Sequence, residues 1–240
     1  MKFRTLTIAA TFALTAATTL AADAPPPSPP MLVRGVITVI DAKSVTVKKA
    51  DGTTVTAAIA PTTAFAAVEP RRLDQIKATD FVGITSVPGP NDTMIAEEIH
   101  LIPIKGLGEG SYPWDHHPGG GAKAGSMTNG MVASAGPAKA GSMTNGTVST
   151  NGNMSLKVAY RGSQMVNGKC VGLASMGGAN PCTGVANVTV LPTTQIVAIV
   201  PAKPADAKAG LTVMGNFANT PNGLVVGSLV LEKNGVKPPM

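Results

Sequence analysis

Few residues in this chain have types and spacing that could do chemistry. His116 and His117 follow Asp115 inside "YPWDHHPGG", residues 112–120, which also holds the chain's only tryptophan, Trp114. Two imidazoles and a carboxylate suit zinc; with Met127, Met131 and Met143 near in sequence, they also suit copper. Zinc takes three or four ligands, and His100 would have to come from a distant strand. His116, His117 and Asp115 alone therefore make an incomplete set. The reading is of histidines facing water, with no cofactor and with metal binding as the alternative.

Pro113 and Pro118 bracket Trp114 and fix φ at two points. Tyr112, Pro113, Trp114 and Pro118 are expected to form a rigid elbow, its indole packed on one barrel face or at the interface between the halves, and the chain released at Gly119, Gly120 and Gly121. Stacking on a sugar is the functional alternative for the ring. Cys170 and Cys182 are the only cysteines. An even pair in a long Gly-rich loop of an exported chain reads as a structural disulfide, and closing so short a loop is worth roughly 3 kcal/mol.

Catalytic constellations are missing from the sequence. Glu97 and Glu98 are neighbours on a strand signal, so they point to opposite faces and make poor partners for acid–base work. There is no Gly-x-Ser-x-Gly elbow, no phosphate-cradling glycine motif and no Cys-x-x-Cys. The expectation is a protein that is not an enzyme.

The elements that would position these residues are strands. Residues 32–40, 44–48, 54–59, 81–87 and 94–102 are rich in Val, Ile and Thr, with Asp51-Gly52 as a hairpin signal. "EPRRLDQIKA" reads as a helical turn or loop, and residues 154–160 as a further strand. The second half repeats the first at an offset of 131: ten identities fall in residues 61–91, among them Pro61-Thr62-Thr63 on Pro192-Thr193-Thr194 and Val82 on Val213. An ungapped offset that keeps both turns and apolar positions predicts a duplicated β-domain. The fold expected is all-β: two small antiparallel, OB-like barrels.

A tighter repeat lies between the halves. "AKAGSMTNG" occurs at residues 122–130 and again at 138–146. So small and polar a run buries little apolar area, so the first copy reads as flexible linker and the second as the lead into a strand.

The N-terminus has Lys2 and Arg4, an apolar run at residues 6–20 and a small-residue zone ending at Ala24, the pattern of a cleaved signal peptide. The layout expected is signal peptide 1–22, Pro-rich linker 23–30, first barrel 31–103, elbow and linker 104–142, second barrel 143–233 and tail 234–240. Net charge is +6, or +4 without Lys2 and Arg4, and aromatics are 3 % of residues. Scattered charge with so few rings argues against a nucleic-acid surface. No membrane span is expected in the mature chain.

"GVITVIDAKSVTVKKADGTTV", "IAPTTAFAAVEP", "GEGSYPWD", "SMTNGTV", "TTQIVAIVP" and "LEKNGVKPPM" occur in this order over most of the mature chain. Together they resemble uncharacterised exported bacterial proteins related to the DUF5666 domain. The resemblance implies a secreted β-barrel protein and brings no reaction, ligand or catalytic residue. The extra "SMTN" copy, the long connection after Tyr160-Arg161-Gly162 and His116-His117 depart from its pattern. The functional expectation is a non-catalytic, periplasmic or secreted structural or interaction module whose partner is an unidentified envelope protein or surface. The alternative is a periplasmic ligand-binding or metal-binding (copper or zinc) protein.

Overall fold

The computed structural model describes residues 31–114, 125–137 and 154–238. The expected signal peptide and Pro-rich linker lie outside the described residues, as do Asp115, His116, His117 and Pro118. Among the described residues there is no α-helix, only strands and three short 3-10 turns. The strands are β1 (Met31–Ile40), β2 (Ser44–Lys48), β3 (Thr54–Pro70), β4 (Phe81–Pro88), β5 (Met94–Leu101), β6 (Gly110–Trp114) and β7 (Gly125–Pro137). They continue with β8 (Met154–Gly162), β9 (Gln164–Val166), β10 (Lys169–Leu173), β11 (Cys182–Pro201), β12 (Thr212–Thr220) and β13 (Gly223–Leu231).

Local chemistry sets the first hairpins. Val45 and Val47 are fully buried while Lys48 is exposed, the alternation of a half-buried strand. Asp41 Oδ1 accepts the amides of Lys43 and Ser44 at 2.7 and 2.8 Å, which turns the chain between β1 and β2. Gly52 takes φ +83° in the turn before β3, and Asp51 Oδ1 accepts the Thr53 amide at 2.8 Å.

A closed five-stranded barrel follows, in the order β1–β2–β3–β13–β12 and back to β1. It is mixed rather than wholly antiparallel, because β3 and β13 run parallel. Val33, Ile37, Val45, Val47, Phe217, Leu229 and Leu231 fill it. A second cycle of ladders joins β7, β8, β11, β5 and β4 and returns to β7, again with one parallel pair, β5–β11. Val82, Ile84, Ile99, Val132, Leu156, Val158 and Val190 pack together there.

Neither cycle is drawn from one contiguous segment, as the layout 31–103 and 143–233 would require. Residues 31–70 supply three strands of the closed barrel, but its last two, β12 and β13, come from residues 212–231. Strands β4 and β5 go the other way and pair with β7 and β11. The cause is the length of β3 and β11, 17 and 20 residues, which carry the chain past its own barrel. Their ends pair antiparallel, Ala66–Pro70 against Val197–Pro201, with Val68 opposite Ile199. After this crossing each hairpin lands on the other cycle.

The expected linker, residues 104–142, holds both β6 and β7. The first "AKAGSMTNG" copy runs into β7 rather than serving as linker, because Met127, Thr128 and Val132 are buried among β4, β6 and β8. Gly130 explains part of this placement. A Cβ there would collide with the Ala159 carbonyl oxygen, as a Cβ on Gly35 would collide with that of Lys48. Glycine lets β7 and β1 approach β8 and β2 closely at matching points.

Candidate functional site

Tyr112 and Trp114 are held by β6, whose ladder with β7 sets Tyr112 opposite Met127 and Trp114 opposite Gly125. The stretch expected to form an elbow is therefore extended strand as far as Trp114. Its Pro113 is exposed, consistent with a residue that has no amide to give the ladder. The Trp114 ring lies 4.8 Å beneath the Arg34 guanidinium, which belongs to β1 of the closed barrel. A cation over an indole face is worth about 0.5–1 kcal/mol at a half-exposed position. The indole thus joins β6 to the closed barrel through a charged partner that the sequence did not single out. Tyr112 stands edge-on to Trp114 at 6.3 Å.

Behind this pair lies a polar layer. Asn129 Nδ2 donates to the Gly108 carbonyl at 2.8 Å and to the Tyr112 hydroxyl at 3.0 Å. Burial pushes the Tyr112 hydroxyl above its ordinary pKa, partly offset by the Asn129 hydrogen bond. The ladders place Asn129 and His100 on either side of Gly83, where a side chain would strike the Asn129 amide. His100 and Glu98 are 3 % and 4 % exposed, and His100 Nε2 is 3.1 Å from Glu98 Oε1. The two groups are close, but the contact lacks hydrogen-bond alignment, and Nε2 is left without a directed hydrogen bond. Glu98 and His100 share a face because they are two apart on β5, a spacing legible in the sequence. Glu97 falls where the β4–β5 register shifts and is half-buried.

Cys170 and Cys182 are bonded, with Cα atoms 5.7 Å apart. The bond fastens β10 to the start of β11. Tyr160 donates its hydroxyl to the Cys170 carbonyl at 2.8 Å, and Glu109 holds Arg161 through two guanidinium contacts at 2.6 and 2.9 Å. A groove of about 530 Å³ beside Arg34 is lined by Leu32, Val36, Lys48, Lys49 and Asp51. Among the described residues, no three His, Cys, Asp or Glu side chains converge as a metal would need. His116, His117, Asp115 and Pro118 lie outside the described residues, so His100 is the histidine with a place in this site.

No family profile, curated protein or solved structure matches the chain.

Proposed function

We propose that the chain is a non-catalytic, exported structural or interaction module of a bacterial envelope. In this reading it consists of two OB-like barrels, copies of one duplicated unit, that have exchanged their C-terminal hairpins. The observation that carries the reading is what the carboxylates do. Asp41 and Asp51 close turns, Asp206 accepts the Lys203 amide at 2.7 Å before a 3-10 turn, and Glu232 accepts the Thr212 amide at 3.1 Å. Glu69 ties Lys233 to the strand crossing at 2.8 Å, and Glu109 ties Arg161 to the β6 side. Acids engaged in scaffold bonds favour rigidity over turnover.

Duplication is supported by hydrogen bonds that repeat between the halves, the threonines and their amide donors standing 131 residues apart and the acceptor carbonyls 130. Thr63 Oγ1 accepts the Ala60 amide and donates to the Val226 carbonyl; Thr194 Oγ1 accepts the Leu191 amide and donates to the Ala96 carbonyl. Each pair bridges the two halves of the chain in opposite senses. The disulfide suits an oxidising compartment, which favours export.

Two measurements on the protein made in a bacterial host test the reading. N-terminal sequencing of the periplasmic product should begin near Ala22 or Asp23. Titration of that mature chain with copper and zinc should give no stoichiometric binding. A sub-micromolar site lost in His116→Ala/His117→Ala would replace the module reading with the metal-binding one.

A further inference from the structure

We propose that strand β7 is a slot with two interchangeable occupants in the same chain: the copy of "GSMTNG" at residues 125–130 and the identical copy at residues 141–146. The first copy holds the slot in this structure, and the contacts it makes define what an occupant must bring. Ser126 Oγ is 3.2 Å from Ser86 Oγ on β4. Met127 is buried, and Thr128 Oγ1 is 3.2 Å from Ser111 Oγ on β6. Asn129 holds Gly108 and Tyr112, and position 130 must be glycine beneath the Ala159 carbonyl. Val132 completes the core.

The second copy meets each requirement in turn. Ser142, Met143, Thr144, Asn145 and Gly146 repeat the slot residues, and Val148 stands where Val132 does. The one change among these positions puts Thr147 in place of the half-buried Met131. A strand register is fixed by the pattern of its buried residues, and a pattern written twice leaves two registers available.

Loop length points the same way. In the closed barrel Ile40 pairs with Val45, leaving residues 41–44 to connect β1 to β2. In the second cycle Ala135 pairs with Leu156, so residues 136–155 connect the corresponding positions of β7 and β8. With the second copy in the slot, Asn151 takes Ala135's place and the connection shrinks to residues 152–155. That is the same length as 41–44. The exchange moves the spare copy to the other side of the strand.

Cysteine trapping in the full mature chain tests it, with the native Cys170–Cys182 bond in place and the linkages read by peptide mass. Ser86→Cys/Ser126→Cys reports the first copy and Ser86→Cys/Ser142→Cys the second. The 86–142 linkage should form in a measurable fraction and rise at least tenfold when Gly130→Val blocks the first copy. Gly130→Val alone should stay folded, whereas Gly130→Val/Gly146→Val and Gly35→Val, which have no spare copy to call on, should lose the fold. Absence of the 86–142 linkage even with Gly130→Val overturns the proposal, and so does a Gly130→Val chain as unfolded as the double variant.

Discussion

Val68 pairs with Ile199, the residue that stands 131 positions later and occupies its own place in the repeat. Ala66 faces Pro201 and Pro70 faces Val197, so the ladder reads the same from either end. Around it, the Arg71 amide donates to the Ile196 carbonyl at 2.8 Å and the Ala202 amide to the Phe65 carbonyl at 3.0 Å, again counterparts with roles reversed. The pair marks a local twofold in the ladder that joins β3 to β11. Because the closed barrel and the second cycle share this ladder, they are expected to unfold together.

Truncating the crossing tests that coupling. Val68 is fully buried, and Val68→Ala should cost about 1–3 kcal/mol through lost packing. Denaturant unfolding followed by both Trp114 fluorescence and far-UV circular dichroism should shift as one transition. Two separated transitions would mean that the cycles are independent units despite the shared ladder.

The threonines give a second, chemical test. Thr63→Val and Thr194→Val each remove a hydroxyl that bridges the halves and leave a strand carbonyl short of a donor, which should cost about 1–2 kcal/mol apiece. The two sites sit in different cycles, so the double variant should show the sum. A double variant no worse than either single would place both hydroxyls in one shared element.

Much of the strand layout was legible because its signals are local. Val45 and Val47 alternate with polar neighbours, and Asp51-Gly52 announces its turn, so β2 has the limits 44–48 that the sequence suggests. The repeat at offset 131 extends to the 3-10 turns, Leu73–Gln75 and Pro204–Asp206. What the sequence could not show was which cycle each hairpin joins. Apolar alternation in residues 81–101 and 212–231 is the same whether a hairpin folds back or crosses over, and only the long ends of β3 and β11 decide it. The strand character of residues 125–130 was hidden for a different reason. Small polar residues look like linker until β4 and β6 are seen on either side of them. Within the candidate site, Trp114 announced itself by rarity, whereas Arg34 gave no local sign of the contact that holds it.

Opening the disulfide should act mainly on the β9–β10 side. Cys170→Ser/Cys182→Ser removes the tie between β10 and β11 and should lower stability by about 2–4 kcal/mol. Hydrogen exchange should rise first in β9 and β10, which carry few partners, while β1 and β2 keep their protection. Uniform loss of protection across the chain would show that the bond supports the whole body instead.

The Arg34–Trp114 contact is a pairwise prediction. A double-mutant cycle over Arg34→Ala and Trp114→Ala should return a coupling of about 0.5–1 kcal/mol, because the cation and the indole each lose the other in either single change. Salt should weaken this coupling only slightly, since the attraction is short-range and partly desolvated. A coupling near zero would mean that the ring is held by Tyr112 and β7 alone.

Asp51 gives the last prediction a direction in pH. Its carboxylate accepts the hydroxyl and amide of Thr53 and pairs with Lys49 at 3.2 Å, and these bonds hold its pKa down at about 2 against an ordinary 3.8. Hydrogen bonds to the charged form stabilise that form, so the folded chain releases this proton more readily than the unfolded one. A group with a depressed folded pKa lends its stability fully above the unfolded value and loses it as pH falls. The β2–β3 turn should therefore keep its full contribution above about pH 4 and surrender it between about pH 4 and pH 2. Asp51→Asn should be less stable than the parent at pH 7, and the gap should close as the pH is lowered through that window. Chemical denaturation of both proteins at pH 7, 4, 3 and 2 measures it. A gap that stays constant down to pH 2 would show that the turn depends on the shape of residue 51 rather than on its charge.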